Sequence, residues 1–539
     1  MGAHRSTPSS ARDRYYRNRL KRMGLLVVSA FVLAVTVCGG LAYPVLAPDA
    51  DAEIGFASAY TPMPVQTMTP TTEPTEVLPT PTAIHTQRTV EPYAGQNQII
   101  PQSEEKHILY YTIAGDSLPV VSAHFGVDMP EITSPDPIDR EGLLPPGQLL
   151  IIPDVLPEIS AQTKLLPDSE VTFSPSTVDF DVEAFVNAAG GYLSTYTEDL
   201  NTTGVTTGAE IIERIALEYS VNPRLLLAFL EFRSGWVYGD AVSHESLIYP
   251  LGYKNPLKDG LYMQSAWFAS TVMGGYYGWR EGRTLIVSFA DGRILRLAPE
   301  LNAGSVGLMQ AFSELYDYDT WSDLLYGEDN FFDFFDSMFG NPWLRAQQVE
   351  PLIPADTVQP EMILPFEIGR LWAFTGGPHA AWSSADVWAA LDFAPASAES
   401  GCHESTAWVT ASIPGLVVRS GNGVVVIDLD GDGHEQTGWT LLYLHIATEG
   451  RIEEGAWVEV GDRIGHPSCE GGRATGTHVH MARRYNGEWV PADGPLPFTL
   501  SGWVAKAGTL AYKGWLIKGS EVRYGSTAST WISQITRDE

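Results

Sequence analysis

Short apolar runs separated by glycine-rich turns dominate the C-terminal part of the chain. Runs of four to eight such residues predict β-strands, and tight turns between them favour antiparallel pairing. We therefore expect residues 365–504 to form an antiparallel β-rich domain with a groove, and we assign 505–539 as a C-terminal extension. The predicted strands are 408–411, 415–418, 423–427, 439–445, 458–464 and 478–484.

A helical pattern precedes this β-rich domain. An amphipathic run leads to Asn222-Pro223, which offers an N-cap residue followed by proline in the first helical turn. Residues 225–230 then open a strongly apolar helix. We expect a mainly α-helical domain over residues 208–348, and we assign the mixed segment 155–207 as a linker.

The helical domain resembles lysozyme-like lytic transglycosylases in its apolar helix and in the Gly-Leu-Met-Gln run at 307–310. The resemblance implies a catalytic glutamate immediately before a serine at the end of that helix. Arg233 stands at this position, and an arginine remains protonated at any working pH. Glu231 lies roughly 200° around the helix. We expect this domain to serve as a packing or spacing element, or to bind glycan, and in either case not to cut glycan.

Residues 106–154 show the outline of a small module with the order strand, helix, helix and strand. Gly115-Asp116-Ser117 predicts a turn into a helix N-cap, and a Pro-Gly turn at 146–147 leads into a returning apolar strand. The module resembles the LysM family, which implies a βααβ fold that binds glycans containing N-acetylglucosamine. One copy should bind weakly, so that avidity depends on another wall contact.

The N-terminus predicts a membrane anchor. Residues 1–22 are rich in Lys and Arg, and residues 23–48 carry no charge and can cross about 30 Å of hydrocarbon as a helix. The preceding positive charge predicts a cytoplasmic N-terminus, with the bulk of the chain outside the cell membrane. Cleavage near 50–52 would instead secrete the chain. Residues 49–105 are rich in Pro and Thr and predict an extended spacer.

Composition limits the partners of the protein. The chain has 539 residues, enough for several domains, and its formal net charge is −32. Nucleic acid is excluded as a partner because phosphate binding requires clustered Lys and Arg. Neutral glycan and peptide remain compatible with this charge.

Histidines carry the candidate chemistry of the β-rich domain. His478 and His480 are two positions apart in a predicted strand, so their imidazoles point to the same face. His445 ends another predicted strand, and His379 and Asp392 lie further back. This set offers enough nitrogen and oxygen ligands for a catalytic zinc with an open position.

The constellation resembles the lysostaphin-type zinc metallopeptidases, which cut peptide bonds in peptidoglycan. The resemblance implies Zn²⁺ ligands at His379, Asp392 and His480, and catalytic histidines at His445 and His478. The first His and Asp are usually four positions apart in that family, but here they are 13 apart, which an insertion explains. It implies an endopeptidase acting on stem peptides or cross-bridges. The alternative is a non-catalytic wall-binding scaffold that regulates another hydrolase.

Two cysteines, Cys402 and Cys469, lie in the β-rich domain. An exported location would allow them to form a disulfide between the loop after Asp392 and the loop before His478. The alternative is two separate thiols.

Overall fold

The computed structural model describes residues 106–538 apart from 202, 242, 384–386, 398 and 529. The predicted leader, anchor and spacer all lie in residues 1–105, outside this part. Among the described residues, no helix is both long and apolar enough to cross a membrane.

The first module contains an antiparallel strand pair and one α-helix. β1 (His107–Tyr111) pairs with β2 (Leu149–Pro153), and α1 (Leu118–Phe125) packs against them through a small apolar core. Pro119 lies at the start of α1, where its missing amide costs no helical hydrogen bond. The strand–helix–strand outline agrees with the sequence, and the LysM assignment stays a prediction.

The prediction of a second α-helix in this module was wrong. Met129–Glu131 forms a single 3₁₀ turn. The chain then turns outward because Thr133 and Ile151 exchange two backbone hydrogen bonds, of 3.1 and 2.7 Å. This pairing with β2 leaves no length for a helix.

Helices dominate the region that follows. Its elements are α2 (Val182–Ala189), β3 (Thr197–Leu200), β4 (Gly204–Thr207), α3 (Gly208–Tyr219), α4 (Pro223–Ser234), α5 (His244–Ile248), α6 (Leu261–Arg280), β5 (Ile286–Ser288), β6 (Ile294–Arg296), α7 (Ala303–Leu315), α8 (Tyr318–Tyr326), α9 (Phe331–Phe339) and α10 (Pro342–Val349). The side chain of Asn222 caps α4, as the sequence predicts. α6 and α7 approach closely at Gly275, where a Cβ atom would lie 2.9 Å from Gly307 Cα.

The segment 155–207 is not a linker. Leu166, Val171, Val186 and Leu193 are buried in the same core as α3 and α4. Val186 lies in the short helix α2, and the other three lie in or near 3₁₀ turns, so the segment shows no long periodic run that the sequence would reveal. The helical region therefore begins well before residue 208.

The β-rich part is built on a nine-stranded antiparallel sheet and smaller sheets beside it. Its strands are β7 (Trp372–His379), β8 (Ala390–Pro395), β9 (Val409–Thr410), β10 (Gly415–Gly421), β11 (Val424–Asp428), β12 (Trp439–Leu444), β13 (Trp457–Val458), β14 (Arg463–Gly465), β15 (Val479–Tyr485), β16 (Glu488–Trp489), β17 (Thr499–Leu500), β18 (Trp503–Ala507), β19 (Gly514–Lys518), β20 (Glu521–Tyr524) and β21 (Gln534–Ile535). The large sheet has the order β13-β10-β11-β12-β15-β8-β7-β21, and β16 also pairs with β15. The strands lie close to the predicted runs, except that 458–464 divides between β13 and β14.

The described residues after position 504 are an integral part of this domain. β17 to β20 form a four-stranded sheet, and β21 pairs with β7. Leu516 and Ile535 share a core with Phe374. The assignment of a separate extension after residue 504 was therefore wrong, because its apolar side chains complete the core of the β-rich domain.

The two faces of the large sheet have different neighbours. On β15, Val479 and Met481 point into the core of the β-rich domain. Ala482 points the other way and, with Leu442 and Val426 of the adjacent strands, joins the core of the helical region. The helical region therefore covers one face of the large sheet through a continuous apolar core.

A buried guanidinium connects the module, the helical region and the sheet. Arg280, at the end of α6, donates to Asp168 Oδ2 at 3.0 Å and to Glu488 Oε1 at 2.8 Å. It also donates to the backbone oxygen of Ala114 at 3.1 Å. Tyr276 donates its hydroxyl to the same carboxylate of Glu488. Removing the guanidinium would leave two largely buried carboxylates without their cation.

We predict that Arg280→Ala lowers the free energy of unfolding by about 3–5 kcal/mol, because breaking a buried ion pair leaves unpaired charges. Urea denaturation of the intact chain measures this loss. Arg283→Ala is the matched control, since Arg283 is 55% exposed and pairs with Glu281 at the surface. The control should change stability by no more than about 0.5 kcal/mol. Equal losses in both variants would contradict the structural role of Arg280.

Candidate metal centre

Four neighbouring strands bring the predicted site residues together. His480 on β15 lies directly opposite Asp392 on β8, and on its other side it pairs with Leu444, the last residue of β12. His379 ends β7 opposite Ala390. The 13-residue spacing of His379 and Asp392 is therefore spanned by a hairpin whose loop joins β7 to β8.

The three predicted ligands converge on one point. His379 Nε2 lies 3.0 Å from His480 Nδ1 and 3.3 Å from Asp392 Oδ1. His480 Nδ1 lies 3.2 Å from the same carboxylate oxygen. Bonds of 2.0–2.2 Å to a tetrahedral zinc would separate its ligand atoms by about 3.4 Å. The spacing of these atoms is therefore close to that of a tetrahedral metal site.

Backbone carbonyls set the tautomers of the two ligand histidines. His379 Nδ1 donates to Gly377 O at 2.8 Å, and His480 Nε2 donates to Ala381 O at 3.0 Å. A carbonyl oxygen can only accept, so these nitrogens carry the protons. The opposite nitrogens then direct their lone pairs toward the shared point, as a metal ligand requires.

Burial and charge favour the metal-binding forms of His480 and Asp392. Burial lowers the pKa of His480, which favours its neutral form. Burial alone would raise the pKa of Asp392, but the imidazoles of His379 and His478 outweigh it and hold that pKa well below its usual range. The site therefore combines an anionic oxygen with a neutral nitrogen of His480.

The donor atoms of His379, Asp392 and His480 fit a bound metal ion. Asp392 Oδ1 is buried and has no hydrogen-bond partner in acceptable geometry among the described residues, although ligand nitrogens surround it. His379, Asp392 and His480 also form a group whose ligand atoms all lie within 4.8 Å of one another. Two imidazoles and a carboxylate suit zinc, which takes nitrogen and oxygen donors.

The other two predicted histidines lie beside this group. His478 Nε2 is 3.8 Å from Asp392 Oδ1, and the rings of His445 and His478 are 4.4 Å apart. Each ring donates its Nδ1 proton to a carbonyl, of Glu470 and Gly476 respectively, which leaves Nε2 as the basic atom. Burial lowers the pKa of His445 to about 3.

The predicted cysteine pair, Cys402–Cys469, is a disulfide in the structure. Cys469 follows Ser468, whose amide donates to His445 O at 2.7 Å and whose carbonyl accepts from His478 N at 3.2 Å. On the other side, Gly401 O accepts from Thr477 N at 3.1 Å. The disulfide thus joins the segments that hold both non-ligand histidines.

Tyr512 was missed by the sequence analysis. Its ring stacks on His379 with the ring centroids 4.1 Å apart. Backbone hydrogen bonds with Pro378 and Gly377, of 3.2 and 3.0 Å, hold the turn between β18 and β19 against the end of β7. No local pattern marks this residue, because the contact depends on how distant strands pack.

The helical region and described residues of the loop between β7 and β8 cover the side chains of the site. His379 is 2% exposed, His445 is 3% exposed, and Asp392 and His480 are each 6% exposed. Ala381 in the loop belongs to the core of the helical region, and the hydroxyl oxygens of Ser270 on α6 and Ser383 in the loop are 3.2 Å apart. Among the described residues, the site side chains are therefore covered on the side that faces the helical region.

Comparisons with known proteins support the peptidase class that the histidine pattern predicts. Residues 164–353 match the family model described as LasA, N-terminal domain. The chain is also similar to the curated proteins named Protease LasA from two strains of Pseudomonas aeruginosa. Each is 24% identical, over 58% of this chain and 73% of the relative.

Solved structures similar to this chain include an M23 metalloprotease, pseudoalterin, described as coming from the deep sea. It is 22% identical, covers 33% of this chain and 100% of its own, and has a TM-score of 0.27. The catalytic domain of lysostaphin from Staphylococcus simulans is 18% identical over 24% of this chain and 89% of its own, with a TM-score of 0.17.

We predict that Asp392→Ala, His480→Ala and His379→Ala each lose bound zinc, because a stable catalytic site needs three protein ligands. His478→Ala should retain it. Zinc content of the purified chain after dialysis measures the outcome. His466→Ala is the control, since its ring donates to Ala407 O at 2.7 Å outside the constellation. Full zinc in His379→Ala would mean that another residue supplies the third ligand.

Proposed function

We propose that the protein is a zinc-dependent endopeptidase that hydrolyses peptide bonds in peptidoglycan stem peptides or cross-bridges. The observation that carries the proposal is the convergence of His379, Asp392 and His480 on one point, with two further basic nitrogens beside it. The similarity to proteins named Protease LasA supports the peptidase class.

The division of roles follows from the atoms that face the site. When bound at His379, Asp392 and His480, zinc supplies a Lewis acid at neutral pH. The Nε2 atoms of His445 and His478 carry free lone pairs, because their Nδ1 protons are held by carbonyls. These atoms are placed to take a proton from the attacking water and to steady charge on the tetrahedral intermediate.

The N-terminal parts extend this proposal to the cell envelope. We infer that residues 23–48 anchor the chain in the cell membrane and that residues 106–154 contact glycan. The uncharged apolar run supports the anchor, and the strand–helix–strand outline supports the glycan module. Both would keep the peptidase close to its insoluble substrate.

The closed site supports a further element of the proposal, that the intact chain is largely latent. The face of the sheet that carries His480 and Asp392 is also the face that packs on the helical region. Substrate can reach the ligands only after that region moves. Arg280 stabilises the closed arrangement through Glu488, which lies on β16 beside the site-bearing strand.

We predict that His478→Ala keeps its zinc but loses roughly 10²–10⁴-fold in turnover, the usual contribution of a general base. Release of new amino termini from purified peptidoglycan measures turnover. His466→Ala again serves as the control and should behave as the unmodified chain does. If the zinc-loaded chain released no amino termini from several peptidoglycan types, even with the site opened, the scaffold alternative would replace this proposal.

We predict that Arg280→Ala raises peptide hydrolysis per bound zinc by roughly tenfold or more, because weakening the closed state by a few kcal/mol increases the open population. The assay is the same release of amino termini. Arg283→Ala should leave the rate unchanged. A rate that fell in proportion to the loss of folded protein would contradict latency.

A further inference from the structure

The outward face of β18 to β20 carries a row of side chains, Lys506, Trp515 and Tyr524, that the proposed peptidase chemistry does not use. Leu516 points into the core, so Trp515 on the same strand points outward. Cross-strand pairing places Lys506 beside Trp515, and Trp515 beside Tyr524. The rings of Trp515 and Tyr524 are 6.4 Å apart, and Tyr524 is 50% exposed.

Another exposed aromatic residue, Trp531, lies in a turn that is attached to β20. Trp531 is 82% exposed, although its backbone lies in a fixed turn in which Ser533 N donates to Thr530 O at 2.8 Å. The amide of Tyr524 donates to Ile532 O, also at 2.8 Å, so this turn is attached to the end of β20. An exposed indole forgoes the free energy of burial, and together with the rings of Trp515 and Tyr524 it indicates a contact surface.

The row borders the metal centre. Trp515 lies three positions after Tyr512, whose ring stacks on the zinc ligand candidate His379. Gly525, next to Tyr524, donates its amide to Gly514 O at 2.9 Å, which fixes this end of the row against the same turn. A polymer lying on the aromatic row would therefore pass beside the candidate site.

We propose that Trp515, Tyr524 and Trp531 form a platform for a glycan strand, and this inference rests on the proposed action on peptidoglycan. Aromatic rings stack on the apolar faces of sugar rings. Adjacent strands are about 4.8 Å apart, so the row from Lys506 to Tyr524 spans roughly 10 Å, about the length of a disaccharide.

Charge favours this neutral ligand over an anionic polymer. Lys506, the cation at the end of the row, is paired with Asp493 at 2.9 Å. The net charge of −32 also repels polyphosphate polymers. A glycan strand would hold the stem peptides beside the metal centre, and glycan length would then affect KM more than kcat.

The test measures binding of the intact, zinc-free chain to insoluble chitin, a neutral polymer of N-acetylglucosamine. Tyr524→Ala and Trp531→Ala should each weaken binding by about tenfold, as truncated aromatic contacts do. Tyr524→Phe keeps the ring and should bind as the unmodified chain does. Trp457→Ala is the matched control, because Trp457 is 54% exposed on β13 at the opposite edge of the large sheet.

Any glycan binding by residues 106–154 is common to all variants, so only the difference between them reports on the platform. Unchanged binding in both alanine variants would overturn the inference, as would an equal loss in Trp457→Ala. Weakened binding to free stem peptides with unchanged glycan binding would also overturn it. Because the measurement is made without zinc, a failure of the proposed peptidase activity would not alter the result.

Discussion

The pairing of His480 with Asp392 across two neighbouring strands is the contact on which the rest of the site depends. It brings an imidazole and a carboxylate within 3.2 Å and places both on one face of the sheet. Because side chains alternate along a strand, the same pairing directs Ala482 to that face as well. The ligand face and the face that packs on the helical region are therefore one surface, and closure of the site follows from the sheet itself.

Backbone carbonyls organise this surface as much as side chains do. Each of the four histidines donates one ring proton to a carbonyl oxygen, which leaves the other nitrogen facing the site. His445 also takes a positive φ of 65°, a conformation that a residue without special support rarely adopts. The surrounding loops stabilise this strained backbone, so the orientation of His445 beside His478 depends on backbone contacts outside the constellation.

The sequence predicted the parts of the site that depend on local pattern. The two-residue spacing of His478 and His480 indicated a shared face, and the structure places both beside Asp392. It could not reveal Tyr512, because a turn far along the chain brings that ring to His379. The same limit explains the errors at 155–207 and 505–539, where short elements complete cores that are formed largely by distant parts of the chain.

The disulfide between Cys402 and Cys469 makes the arrangement of the site depend on the redox state of the compartment. It joins the segments that hold His445 and His478, whereas the three metal ligands stand on strands that need no crosslink. In a reducing compartment the three ligand candidates would still be brought together by the sheet, whereas the segments that carry His445 and His478 would lose their crosslink. Oxidation would therefore be needed to hold His445 and His478 firmly beside the three ligand candidates.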